Sequence, residues 1–191
     1  CACSRTVAGL PWYEAYIKKA DQMGLRYKVV EEAEFYKFGA SRTHDSEFAL
    51  IATVAISGHA FVLRISIVKC RVPLLISRTA LSTLGMVHDV AAYTADFKAI
   101  RIKDYRLGRS DTGHPTVNLM EGLYSTSVQT LQAHSFSDIA DEVRLAAAQV
   151  YMAVNSSHTH ANETFRMSPP HAHVRVPGVI DGCTSKFAAH F

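Results

Sequence analysis

The apolar positions of this chain change period several times, and each change marks an element. In "PWYEAYIKKADQMG" (11–24), Trp12, Tyr16, Ala20 and Met23 recur at helical spacing. Pro11 suits a first helical turn and Gly24 a helix end, so the pattern predicts a helix over 11–24. The period then shortens to two. "RYKVV" and "EFYKF" predict two short strands separated by an acidic turn at Glu31-Glu32, and "GASRTHDS" (39–46) predicts a polar loop. In "EFALIATVAISGHAFVLRISIVKC" two long β-rich runs flank Ser57-Gly58-His59, a hairpin signal. The second run alternates. Phe61, Leu63, Ile65 and Ile67 fall on one side, Val62, Arg64 and Ser66 on the other, which predicts a half-buried strand.

"VPLLISRTALSTLGM" (72–86) follows, with an apolar strand at 72–76 meeting Ser77 and turning at once into a short helix, 79–84, closed by Gly85. A small residue belongs where a strand passes close to another backbone. Taken alone, the junction is an ordinary strand-to-helix turn capped by Ser77. "MVHDVAAYTADFKAIRI" predicts two or three short strands with turns near Ala91 and Lys98. From about residue 121 the texture changes. "SDIADEVRLAAAQVYMAV" (137–154) predicts a helix, with Ser137 as cap, Asp138, Asp141 and Glu142 in its first turn, and Ile139, Val143, Val150 and Val154 along one face. The last stretch, rich in His and Pro, predicts an irregular tail. The expected organisation is a β-rich body at 1–120, a helical extension at 121–157 and a tail at 158–191. No internal repeat of 20–50 residues is present.

Composition narrows the function classes. With 191 residues, 48% of them hydrophobic, the chain has enough for one substantial core. The net charge of +3 is weak and scattered, Lys18-Lys19 reads as a solvated helix face, and no nucleic-acid partner is expected. No apolar run reaches the ~18 residues of a membrane span, so no membrane partner is expected. The start lacks both a signal-peptide pattern and Met, as expected of a processed product, an internal fragment or part of a longer chain. Cys1, Cys3, Cys70 and Cys183 permit three pairings, although Cys1 and Cys3 are too close to bridge without strain. The redox compartment stays open, and an intracellular location is favoured over a secreted one.

The segment 56–85, "ISGHAFVLRISIVKCRVPLLISRTALSTLG", resembles the second half of the retropepsin-like aspartic proteases of retroviruses and LTR retrotransposons. In that family an apolar-apolar-Gly-Arg segment enters the subunit's one helix, and Leu75-Ile76-Ser77-Arg78 matches it with Ser in place of Gly. "CACSRTVAG" resembles the string that follows the catalytic Asp-Ser/Thr-Gly motif. Cys3 matches the Cys after the motif, Ala2 the Gly and Cys1 the Ser or Thr, so the Asp falls on the residue before Cys1, outside this chain. "FYKFG" (35–39) resembles the strand entering the flap, whose residues are Phe38, Gly39 and Ala40. The resemblance covers about residues 1–120. It implies a mainly β, barrel-like acid-protease fold and a homodimer acting on a peptide or polyprotein substrate. It also implies an active-site loop of Cys1, Ala2, Cys3 and Ser4, with Ile76, Ser77 and Arg78 as the structural junction. Water is then activated between two carboxylates that share a proton, one from each subunit, because like charges that close do not both ionise. With the triplet incomplete, the chain is expected to be inactive as it stands.

Other residues carry weaker chemistry. Asp111-Thr112-Gly113 matches the triplet but follows a polar string rather than an apolar strand. Asp181 follows Val179-Ile180 yet lacks the Ser or Thr. An N-terminal Cys1 is a potential nucleophile with its own α-amine as base, although the short strands do not suit such hydrolases. His158, His160, His171 and His173 form two His-x-His pairs able to chelate Zn or Cu, without the Cys or carboxylate support that a Zn site wants. Asn155 and Asn162 begin glycosylation triplets, relevant only to a secreted chain. Two rivals to the protease remain. One is a non-catalytic binding or assembly module on the same fold, the other a metal-binding protein working through its His-rich tail.

Overall fold

In the computed structural model the described residues are 5–38, 42–123, 150–152 and 188–190. They are mainly β, with few helices. β1 (Val7–Gly9) leads directly into α1 (Leu10–Met23), where Pro11 occupies the first turn. Gly24 ends α1 at φ 64°, a left-handed conformation that costs glycine nothing, and its N–H returns to the Ala20 and Asp21 carbonyls. α1 buries Trp12, Tyr16 and Ala20 against the sheet. Its Trp12 and Tyr16 rings stack at 5.4 Å, and the buried Tyr16 hydroxyl donates to the Thr53 carbonyl at 2.8 Å.

β2 (Tyr27–Lys37) corrects the expectation of two strands. It is continuous, and what reads as an acidic turn is a bulge between Glu31 and Glu34, where one extra residue bends the strand without breaking its pairing to β3. β3 (Thr43–Ile56) starts inside the stretch expected to be loop. It is joined to β4 (His59–Val68) by the anticipated tight turn, with Ser57 at φ 45° and Gly58 at φ 80°, the positive values a two-residue hairpin loop requires. β4 corrects another expectation. Val62 and Ser66 are as buried as Phe61, Leu63 and Ile65, so both faces of the strand are covered; after the exposed His59 at its start, only Arg64 is partly exposed. Each fully buried large aliphatic or aromatic side chain here contributes about 2 kcal/mol of burial free energy.

β5 (Leu74–Leu75) leads through Ser77 into α2 (Arg78–Thr83), and Gly85 turns the chain out at φ 64°. A three-stranded sheet follows: β6 (Met86–Asp89), β7 (Thr94–Phe97) and β8 (Ile102–Arg106). Its turns fall where expected. Asp89 organises the first by accepting the Ala91 and Ala92 N–H groups, and a short 3-10 turn at Lys98–Ile100 makes the second. β9 (Gly108–Arg109) and β10 (Pro115–Asn118) complete the body.

Residues 150–152 form a strand, β11 (Val150–Met152), antiparallel to β4, where the periodicity predicted the end of a helix. Ala188–His190, within the expected irregular tail, forms β12 between β5 and β10. In both, pairing to a free strand edge overrides local pattern. The rest of the predicted helix and tail lies outside the described residues. The larger sheet runs β2-β3-β4-β1-β5-β12-β10-β9, with β11 also on β4. Residues 119–121 curl back to β3, where the Ala55 N–H donates to the Leu119 carbonyl, but no closed barrel forms among the described residues. No described helix is long and apolar enough to cross a membrane.

Burial raises the pKa of Tyr16 most strongly, and it also raises those of Tyr36 and Tyr105 above the ordinary 10.0. A pKa raised on folding means that the native state holds its phenol proton more tightly. The stability this represents is intact below pH 10.0 and declines as pH rises above it. Chemical denaturation across the alkaline range should therefore show stability falling above pH 10.0, and Tyr16→Phe should flatten that fall while costing about 1 kcal/mol at neutral pH.

Candidate functional site

β1 is three residues long and enters between two strands. It runs parallel to β4, with Val7 beside Ser66, and antiparallel to β5, with Val7 beside Leu75. Small residues make this possible. Ala8 is fully buried, and a Cβ at Gly9 would lie 2.1 Å from the Cys70 carbonyl oxygen, so only glycine admits the backbone of residues 70–72 so closely. The Gly9 N–H donates to the Val72 carbonyl at 2.8 Å.

Thr6 and Ser77 meet just before β1, 71 residues apart in sequence and both buried. The Thr6 hydroxyl donates to Ser77 Oγ at 3.3 Å, and the Ser77 N–H donates to Thr6 Oγ1 at 3.1 Å. Ser77 Oγ also accepts the Ala80 N–H at 3.0 Å, capping α2. Ser77 lies at φ −68°, ψ 152°, ordinary extended backbone. Nothing in that conformation demands glycine.

On one side of this junction lies a small apolar wall. Val7, Tyr36, Val68 and Leu75 pack together, flanked by Phe38, Cys70 and Val72. The rings of Tyr36 and Phe38 stack at 6.5 Å, and the Tyr36 hydroxyl donates to Ser66 Oγ at 2.7 Å. Burial pushes the Cys70 thiol up despite a smaller lowering by Arg42, which favours its protonated form. Charge surrounds the wall. Arg5 pairs with Glu34 at its exposed edge. Arg64 pairs with Glu32, with side chains only 13% and 3% exposed, and Ser46 donates to the same carboxylate at 2.6 Å.

Among the sequence candidates, Phe38 stands against the wall, while Ile76, Ser77 and Arg78 form the β5–α2 junction. Asp111 lies apart, exposed in the turn between β9 and β10. Cys1, Ala2, Cys3, Ser4, Gly39, Ala40, Asp181 and the four tail histidines fall outside the described residues, as do Asn155 and Asn162. No group of three or more His, Cys, Asp or Glu among the described residues is placed to hold a metal. A separate open cavity of about 460 Å³ on the three-stranded sheet is lined by His88, Asp89, Asp96 and Asp104 among others, and Asp89 and Asp96 there accept backbone N–H groups. Sequence reasoning passed over Thr6 and Tyr36, which look like ordinary strand residues. The Glu32–Arg64 pair did leave a signal, since an Arg within a β-rich apolar run calls for a carboxylate partner.

No family model, curated protein or solved structure matches the chain.

The two ion pairs should differ sharply on mutation. Arg64→Ala leaves a buried carboxylate uncompensated and should cost about 3–5 kcal/mol, whereas Arg5→Ala removes an exposed pair and should cost less than about 1 kcal/mol. Urea unfolding with an unchanged slope measures both.

Proposed function

We propose that residues 1–120 are a retropepsin-like aspartic endopeptidase domain of retrotransposon-polyprotein type, which works as a homodimer on a peptide or polyprotein substrate. The observation that supports this most is the small buried cluster of Val7, Tyr36, Val68 and Leu75, which packs the strand following residues 1–5 next to Phe38, at the entry to the flap segment of this reading. In this reading peptide lies between residues 1–5 and the flap at 37–46, with the buried cluster as the support beneath rather than the contact surface.

In this reading the catalytic carboxylate belongs to the residue before Cys1. One Asp from each subunit forms the pair. The ionised member takes a proton from water as it attacks the peptide carbonyl, and the protonated member donates to the carbonyl oxygen. The residues after the Asp need to be small, because two loops approach there; Cys1 is larger than Ser and Ala2 departs mildly from Gly, and both work against tight loop packing. A second reading, a dimeric binding module on the same fold without turnover, is favoured by Cys1 and Ala2 standing where the resembled family carries Ser or Thr and Gly.

The deciding experiment takes the protein from its natural source, determines the residue before Cys1, and assays peptide cleavage against pH. The expected outcome is an Asp there, an acidic optimum, inhibition by pepstatin, and a loss of about 100-fold or more on Asp→Asn. A dimer without turnover, or a residue other than Asp at that place, would overturn the protease reading in favour of the binding module.

A further inference from the structure

We infer that the gap between β5 and β10 is a binding slot for an extended segment, and that the chain's own residues 188–190 fill it as a reversible strap that joins the β9–β10 hairpin to the rest of the larger sheet. The inference is independent of the protease reading above.

β12 is three residues long, yet it pairs on both sides. Ala188, Ala189 and His190 lie antiparallel to Asn118, Val117 and Thr116 of β10, while Ala189 and His190 lie parallel to Leu74 and Leu75 of β5. Among the described residues β5 and β10 share no pairing of their own, so the strand order passes from one to the other only through β12. Without it, β5 would keep its pairing to β1 at Val7↔Leu75, and β10 would keep β9 and the link of Leu119 to β3. The edges that face the slot are buried, at Leu74, Leu75, Thr116 and Val117. A buried backbone N–H or carbonyl is costly to leave unpaired, so the slot demands extended backbone. Backbone pairing carries the affinity of such an added strand. Alanine is a poor strand former by itself, so residues 188–190 are a strand because the slot is there.

Two features make the strap separable. It is short, whereas β3 and β4 pair along nearly their whole length, and a short segment opens locally at less cost than the core. It is also tied to β11 only through residues 153–187, so its hold on the slot comes from its own pairing and not from a neighbouring turn. A tethered strand returns to its slot at an effective concentration of about millimolar, and a free peptide must reach about that level to take its place. β5 runs directly into Ser77 and α2, so occupancy of the slot acts on the strand-to-helix junction as well as on β10.

The test places Ala189→Pro in the full chain, because proline removes a ladder donor and is not accommodated in a strand paired on both sides. Amide hydrogen exchange reads Leu74, Leu75 and residues 116–118, with the β3–β4 hairpin as internal reference. Exchange at β5 and β10 should rise about ten-fold or more while the hairpin stays unchanged. A synthetic peptide of residues 185–191, added to this variant at about millimolar concentration or above, should restore the protection, and the same peptide carrying Ala189→Pro should not. Unchanged exchange at β5 and β10 would mean that β12 does not hold those edges, and the inference fails. Equal loosening of the hairpin, or a variant that does not fold, makes residues 188–190 part of the cooperative core and removes the strap. Protection that the peptide does not restore removes the slot as a binding site. Protection that grows with protein concentration in the unsubstituted chain assigns the strand to a second copy, and the strap within one chain is overturned.

Discussion

β4 is hydrogen-bonded along both edges and covered on both faces, and the rest of the molecule is arranged to meet that demand. On one edge β3 pairs with it from Ile56↔His59 to Ser46↔Val68. On the other, β11 takes residues 61–63 and β1 takes residues 66–68, so the edge is shared by two segments far apart in sequence. A buried backbone N–H or carbonyl left without a partner costs about as much as a lost hydrogen bond, and this forces the assembly around it. One face receives α1, with Trp12 and Tyr16 over the sheet. The other carries the wall of Tyr36 and Val68 and the only partly exposed position within the strand's interior, Arg64, which its partner Glu32 neutralises.

That arrangement explains the candidate site. β1 reaches the edge of β4 only because Ala8 and Gly9 are small enough to pass beside residues 70–72, and once there it brings Val7 opposite Leu75. The same step sets Thr6 against Ser77. The geometry of the candidate site and the packing of the core are thus one construction. Mutations at Gly9 or Ala8 are expected to act on fold and function together, whereas those at Arg5 or Glu34 touch the rim alone.

β2 is long and ends the strand order among the described residues, the kind of position at which sheets can pair with another chain. It carries the Glu31–Glu34 bulge and the charges Lys28, Glu31 and Lys37, features that bend and charge an edge against such pairing. Phe35 is nonetheless 72% exposed on this strand. The inward residues of the same strand, Val30, Glu32 and Tyr36, serve core, ion pair and wall in turn.

Local pattern alone determined α1, the Ser57-Gly58 hairpin, the strand-to-helix junction at Ser77 and the three short strands after it, because each depends on neighbours within a few residues: a proline, a positive-φ turn, a capping hydroxyl. The turn from strand to helix at Ile76-Ser77-Arg78 was legible for the same reason. Only tertiary structure decided the rest. Whether β4 was buried on one face or two depended on what packed against it. Glu31-Glu32 became a bulge rather than a turn because β3 continued alongside, and residues 150–152 and 188–190 became strands because edges of β4, β5 and β10 were there to be paired. Thr6 and Ser77 acquired their bond only when the fold closed 71 residues of chain between them, a distance over which no pattern of polar and apolar positions carries information.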